Sequence, residues 1–395
     1  MTKSSMPRIT PKDEHTDSAI EQRHAWVSEE SHCDLSALRH PGEADAYSGN
    51  IENHFGYVRL PMGIAGPMLL RGQHAKGEFL VPMVTTEGTL VASYNRGMKA
   101  ITLSGGAEAE VYQNEIHSNA TFETADPGAV QALHSWMESN QPAIAGIVAD
   151  NTQHGRLLRC EYTHLGSRLI VNFVYDPADA MGINMITHVS HAICTMISDH
   201  HDGLVFHFPS SIQGDKKATY YNFNKGRGRS VRTRLLLRAD VIKDLLHSSS
   251  QMMLRYYRNN LEIGHLTGGI GFNMHIANGI TALGLATGQD VAYVGESANG
   301  LTSIEEHGDD LLFEVTIPSL YVGTVGGGAR LPTHLPCLEM LGCTGPGSAL
   351  KLAEIFAATC LAGEISVLAA IASDQFVRAH NRLGRNRPDQ SASEA

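Results

Sequence analysis

The stretch that most constrains the fold lies near the middle of the chain. RLLRCEYT and RLIVNFVY, between residues 156 and 175, alternate or run apolar around a His164-Leu165-Gly166-Ser167 turn. Side chains alternate faces along a strand and a glycine-bearing turn reverses it, so the pattern predicts a β-hairpin. DAMGINMITHVSHAICTMISDH follows with helical spacing, opened by Asp179, and then a short strand, GLVFHF. A β-β-α-β order inside a longer chain predicts a small α+β domain.

The flanking sequence is less specific. Residues 1–17 are polar and predict a frayed end. Ser18 to Glu30 reads as an amphipathic helix with Ile20 and Trp26 among its apolar positions, followed by a loop to about Asn50. IENHFGYVRLPMGIAGPMLLRGQHAKGEFLVPM is strand-and-turn material: Gly63 and Gly66 allow unusual backbone angles, while Pro61 and Pro67 interrupt pairing. A helix is predicted from about Gly88 to Ile101, with Leu90, Val91, Tyr94, Met98 and Ile101 on one face and a stop at Ser104-Gly105-Gly106. From residue 232 onward helical stretches alternate with glycine-rich turns such as HLTGGIGFN, GTVGGGARLP and GCTGPGSA.

Composition excludes several classes. The chain has 395 residues, enough for two or three domains, with 42% hydrophobic and 18% charged residues, which rules out disorder. A net charge of −11 argues against nucleic acid as a partner. The six cysteines contain no CxxC pair, which suits free thiols in a reducing compartment. The most apolar stretch, CLAGEISVLAAIA, carries Glu364 and reads as too short to span a bilayer; with no secretory leader in view, the expectation is a cytoplasmic protein without a membrane partner. DHHD at 199–202 has metal-ligand types at a spacing that suits no standard site, so no metal is expected.

Four residues stand out as able to carry chemistry, each with an ordinary structural alternative. Glu87, in VTTEGTL, is placed to cap a helix, or to act as a general acid in a dry cleft. Lys216, in GDKKA, belongs to a solvated loop, or stabilises an oxyanion as a carbonyl is reduced. Asp290, in TGQD, makes a turn or joins such a network. His380, in FVRAHNR, serves a helix end, or protonates a leaving thiolate. Asp179 is read as an N-cap, or as marking a helix start whose amides face a pyrophosphate. No GxGxxG follows a strand, so a Rossmann domain is not expected. KGRGRSVRTR at 225–234 meets phosphates or forms a solvated edge, and the sequence does not decide.

Taken together, GNIENHFGYVRLPMGIAGP, PMVTTEGTLVASYNRGMKAI, DAMGINM, GDKKA, HIAN, TGQD, GTVGGG and FVRAHNR, in this order and spacing, resemble the 3-hydroxy-3-methylglutaryl-coenzyme A reductases of the eukaryotic and archaeal class. The resemblance covers nearly the whole chain from about Ala19. It implies an α+β fold: a helical N-terminal region (1–51), a large domain around a long central helix (52–117 and 220–395), an inserted ferredoxin-like small domain that binds the nicotinamide cofactor (118–208), and a catalytic connecting loop (209–219). It implies NADPH or NADH as cofactor, coenzyme A as part of the substrate, and a homodimer or higher homo-oligomer with active sites at the subunit interface. By motif, Glu87 donates a proton to the reduced carbonyl, Lys216 stabilises the oxyanion, Asp290 holds both, and His380 protonates the CoA thiolate. Two hydrides take the thioester to an aldehyde and then to an alcohol. Asp179, Met181, Gly182, Asn184, Met185, Thr152 and Gln153 are placed at the cofactor, and Lys217, His275, Asn278 and Ser211 at the substrate.

The departures from that pattern cluster at the acyl group. Where the family continues after SGGAEAEVYQ with a carboxylate-binding arginine, this chain reads NEIHSNATF; Pro209 and Ser211 replace a Ser and an Asn, and Asn259 replaces a lysine. Two lost charge-assisted partners cost about 2–3 kcal/mol each. The expectation is therefore a thioester reductase, by default of hydroxymethylglutaryl-CoA to mevalonate, with a different acyl-CoA or carrier-bound acyl group, or a non-catalytic acyl-CoA-binding relative, as alternatives. Thr152-Gln153-His154 stands where the family sets a Ser-Arg pair on the 2′-phosphate of NADPH, which leaves NADH open.

Overall fold

Two hydrophobic cores, joined by one long strand, organise the chain. In the computed structural model the residues described are 15–39, 44–152 and 155–373, with Pro7, Ile9 and Gly42. Helix α1 (Asp17–Ser31) is capped by the Thr16 hydroxyl, which accepts from the Ala19 amide. Its buried positions are Ala19 and Arg23, whereas Ile20 and Trp26 are only half-buried. The helix turns a guanidinium inward, and that group donates to the His54 carbonyl at 3.2 Å. The segment to Asn50 contains two 3-10 turns, Ser36–Leu38 and Ala44–Tyr47.

Strands β1 (Met62–Arg71) and β2 (Lys76–Val84) form an antiparallel ribbon on which helix α2 (Leu90–Leu103) packs. Leu90, Tyr94, Met98 and Ile101 are buried on one face of α2, as their spacing predicts. The helix begins after Thr89, which takes a left-handed φ of 75°. Glu87 therefore precedes the first turn and caps nothing. Gly88 and the left-handed Thr89 separate the extended chain from the helix start.

The predicted β-β-α-β unit is present, preceded by one more strand and two helices. Strand β3 (Glu108–Glu123), α3 (Pro127–Ser139), α4 (Gln141–Asn151), β4 (Arg156–Leu165), β5 (Arg168–Asp176), α5 (Ile183–Asp199) and β6 (Val205–His207) follow in that order. The strands run β4-β5-β3-β6, all antiparallel. With α3 and α4 as one crossover, this is the β-α-β-β-α-β ferredoxin-like arrangement. Its core draws Ile116, Phe122, Val171, Phe173, Ile186 and Ile193 from one sheet face and the helices. Asp179 does not open α5: the N-cap is Gly182, at φ 89°.

The first half of β3 belongs to the other core. After α6 (Tyr220–Lys225), strand β7 (Gly228–Leu237) pairs with Glu108–Glu115 of β3. Helices α7 (Ala239–Asp244), α8 (Ser250–Gly264), α9 (Ile276–Ala286) and α10 (Val294–Ser297) follow. Strands β8 (Leu301–His307) and β9 (Asp310–Leu320) then complete the sheet in the order β3-β7-β9-β8. Helix α11 (Leu335–Met340) leads to α12 (Ser348–Ala372), which packs against α2, α8, α9 and the sheet.

Helix α12 corrects one expectation. The apolar run around Glu364 belongs to a helix of 25 residues, long and apolar enough to cross a membrane, because the turns from Ser348 onward continue it. Its most apolar window is 89% buried inside the fold, and it carries the fully buried carboxylates Glu354 and Glu364. It is the axle of the larger core.

Candidate active site

Lys216 sits on the loop that leaves the small domain, just after the 3-10 turn Ser211–Gln213. Its ammonium donates to Asp290 Oδ2 at 2.8 Å and lies 4.9 Å from the centroid of the Tyr293 ring. Its backbone is left-handed, at φ 57°. A lysine held there costs about 1 kcal/mol or more, so the surroundings must over-determine it. They do: the Lys216 amide donates to Glu296 Oε1 at 2.6 Å, and Gly295 lies so close that a Cβ would meet the Lys216 carbonyl oxygen at 2.6 Å.

Beneath the loop is a buried charge network that the sequence did not reveal. Arg227, with no exposed side-chain surface, pairs with Glu296 at 2.8 Å and with Asp215 at 3.0 Å. Tyr293 donates its hydroxyl to the same Asp215 oxygen at 3.0 Å, and Asn222 donates to Glu296 at 3.0 Å. Burial opposes the charge on Arg227, but the neighbouring Tyr321, Glu296 and Asp215 hold its guanidinium above the usual range. Burial pushes Glu296 upward, and Arg227 pulls it back. A buried pair of this kind is costly to break from one side. The KGRGRSVRTR run is thus split: Arg227 and Arg229 point inward, while Arg232 and Arg234 pair with Glu110 and Glu108 on the exposed face of β3.

Glu87 has a lighter seat. It is exposed, its amide donates to Thr85 Oγ1 at 3.0 Å, and Asn278 Nδ2 donates to its Oε2 at 3.4 Å. Asn278 Nδ2 lies 3.2 Å from His275 Nδ1. The His275 ring stacks on Tyr94, 4.7 Å between centroids, and the Tyr94 hydroxyl donates to the His275 carbonyl at 2.6 Å. Burial pushes the His275 imidazole down to about 4, so near neutral pH it is uncharged. Among the described residues no hydrogen bond or ion pair joins Glu87 to Lys216 within one chain. Asp290 meets the lysine and, through its other oxygen, the Ala292 amide at 3.1 Å, so it is both a turn cap and a charge partner.

The DAMG segment forms a third locus. Gly182 caps α5 without any side-chain bond to the first amides, leaving the positive end of a 17-residue helix open. Asp179 turns elsewhere: its two oxygens accept from the Gly347 and Ala349 amides at 2.8 and 2.9 Å, capping α12. Arg229 lies under the segment, donating to the carbonyls of Ala178 and Ala180 at 2.6 and 3.2 Å and to that of Val322. Burial pushes its guanidinium down to about 10, an unusual value for arginine. Met185 packs against Gly155, and Thr152 ends α4 with its hydroxyl accepting from the Gly155 amide at 3.2 Å. Ala178, Thr89 and Lys216 are three of the six non-glycine residues with positive φ among the described residues. Backbone strain therefore gathers at all three loci.

The remaining candidates are scattered. Ser211 and Lys217 are exposed on the lysine loop, and Asn259 is exposed on α8. Met181 and Asn184 flank the Gly182 cap. His380 and Gln153 lie outside the described residues.

A family model described as hydroxymethylglutaryl-coenzyme A reductase matches residues 19–385. The chain belongs to the hydroxymethylglutaryl-coenzyme A reductase family. The reductase of Aeropyrum pernix is 42% identical over 349 residues, covering 86% of this chain and 83% of that protein. That of Haloferax volcanii is 38% identical over 376 residues, covering 93% of each. A solved reductase structure from Streptococcus pneumoniae aligns with a TM-score of 0.63 at 19% identity, covering 90% of this chain and 94% of that one. At that identity it speaks for the fold alone. Membership in the reductase family makes the chain an NAD(P)H-dependent oxidoreductase.

The structure places the segment that departs from the family pattern. NEIHSNATF forms the middle and second half of β3, with Ser118 and Asn119 buried. Sequence reasoning missed Arg227, Arg229, Glu296 and Tyr94. Arg227 and Arg229 do carry a signal: in a run of alternating basic residues opening a strand, residues of one parity must face inward.

Proposed function

We propose that this reductase converts hydroxymethylglutaryl-CoA to mevalonate and CoA, with Lys216 as the oxyanion-stabilising cation. The observation that carries the reading is the 2.8 Å Lys216–Asp290 pair on a strained loop seated over buried charges. Charge that develops on a thioester oxygen is stabilised most by a fixed cation that need not reorganise. Asp290 holds the ammonium in place, Glu87 supplies the proton to the reduced carbonyl, and His380 protonates the departing thiolate. His275 and Asn278 orient Glu87; Lys217 and Ser211 face the acyl group.

The residues present fit a nicotinamide dinucleotide. The open amides at Gly182, Ile183 and Asn184 suit a pyrophosphate, with Met181 and Met185 beside it and Thr152 and Gln153 toward the adenosine. When bound, the cofactor supplies hydride. One of the solved Streptococcus pneumoniae reductases is described as bound to NADPH. We read residues 118–208 as the cofactor half, 52–117 with 220–395 as the substrate half, 209–219 as the catalytic link and 1–51 as the N-terminal helical region. We further read the protein as cytoplasmic and homo-oligomeric, the active site being completed at the subunit interface.

The test is nicotinamide oxidation by the purified protein with hydroxymethylglutaryl-CoA, NADPH and NADH being compared. Turnover establishes the mevalonate-forming reaction and the cofactor preference. Folded protein that binds cofactor but leaves this substrate unreduced favours a second reading, supported by the NEIHSNATF segment of β3, which holds no arginine and buries Ser118 and Asn119. In that reading the substrate is an acyl thioester with no free carboxylate.

A further inference from the structure

Glu364 lies in the long apolar helix α12 and is completely buried. Every group it meets is a donor: the Met274 amide at 3.0 Å, the His275 amide at 2.5 Å and Thr302 Oγ1 at 2.8 Å. A carboxyl surrounded only by donors fits the ionised form, which accepts and does not donate. Burial alone pushes its titration upward, and the hydroxyl and the two amides oppose that. A lone buried carboxylate is expensive, and a helix this apolar has no packing need of one.

What it holds explains it. Helix α9 starts at Ile276, and its N-cap, His275, makes no side-chain cap bond. Glu364 takes the two amides just outside that start and sets its negative charge at the positive end of α9. The same turn presents His275 to Tyr94 and to Asn278, and Asn278 donates to Glu87. The contacts thus run unbroken from α12 through the turn to the exposed carboxylate.

Glu354, also on α12, supplies an internal comparison. It is equally buried and accepts from the Gln73, His74 and Ala75 amides at 3.1, 2.9 and 2.6 Å. It anchors the turn between β1 and β2, which carries none of the candidate residues. Both glutamates leave no exposed surface and hold a turn by its backbone amides, and only one leads to Glu87.

We propose that Glu364 is a positioning residue for the reduction: by fixing the turn from Met274 to Asn278 it sets the orientation of Glu87. This rests on the reading of Glu87 as proton donor. The experiment compares Glu364→Gln with Glu354→Gln, recording kcat per folded molecule, KM for the nicotinamide cofactor and the pH profile of kcat. Misplacing an acid by about 1 Å costs up to about 100-fold. The expected result for Glu364→Gln is a kcat lowered by about 10- to 100-fold, an unchanged cofactor KM and a displaced pH limb. Glu354→Gln should lose stability yet keep kcat within about twofold. Equal losses in the two variants, or a wild-type pH profile in Glu364→Gln, overturn the proposal. If Glu364→Gln does not fold, Thr302→Val removes one of the bonds that orient the carboxylate. A wild-type kcat and pH profile there overturn it as well. Glu87→Gln separates the two claims: an active variant defeats the reading of Glu87 itself, whatever Glu364 does.

Discussion

The two halves of the candidate site are seated by opposite means. Lys216 is exposed, but its backbone is fastened to Glu296, and Glu296 is paired with a fully buried arginine. Glu87 is also exposed, yet reaches its nearest side-chain partner over 3.4 Å, through an asparagine set on a helix start. One seat rests on a buried ion pair; the other is a relay of neutral side chains hung from a single buried carboxyl. The difference teaches that the cation is preorganised by charge, whereas the acid depends on the shape of one turn.

That contrast is broken most severely at Arg227. Arg227→Met leaves Glu296 and Asp215 facing a buried apolar group and should cost about 3–5 kcal/mol, read by denaturant unfolding. Amide exchange should rise across residues 211–219 and stay unchanged near Glu87. Lys216→Ala should lower kcat by about 100- to 1,000-fold with a wild-type circular dichroism spectrum. An active variant would remove the lysine from the chemistry.

The acid side responds to pH instead. The imidazole of His275 sits at about 4 when folded, against an ordinary value near 6.5 when unfolded. Between these values the unfolded chain binds the extra proton, so stability falls as pH drops from about 6.5 to about 4, by at most about 1.4 kcal/mol per unit. Glu354 and Glu364, pushed upward by burial, act in the opposite sense as pH rises. Urea titrations at stepped pH should show that acid slope flattened in His275→Asn. Asn278→Ala removes a bond worth about 1 kcal/mol, so kcat should fall about fivefold without a change in the unfolding midpoint beyond that amount. Arg232→Ala, which breaks an exposed pair with Glu110, should change stability by less than about 1 kcal/mol and kcat not at all.

The hairpin around Gly166, the α2 face and the DAMG helix were legible because each is a local pattern of period two or about three and a half. The resemblance supplied the ferredoxin-like arrangement. The residues alone did not, because β3 carries polar residues on one face and its partners lie far away in sequence. Helix starts were misread twice for one physical reason. Glu87 and Asp179 are good cap types, but left-handed Thr89 and Gly182 postpone each helix, and Asp179 is taken up by a helix that begins about 170 residues later. Arg227 and Glu296 were hidden because charge in a sequence reads as surface; only the fold shows that two such residues bury each other.

Strand β3 is shared by the two cores, with its pairing register shifted once, between Val111 and Gln113. The chain thus enters the proposed cofactor half along one continuous strand and leaves it through the loop that bears Lys216. The entrance is a beam and the exit a tether. Any tilt of that half has to flex the beam near Tyr112, because the lysine on the exit loop is pinned to Glu296. On the proposed reading, the dinucleotide half can tilt on its entrance strand while the aim of the ammonium stays fixed.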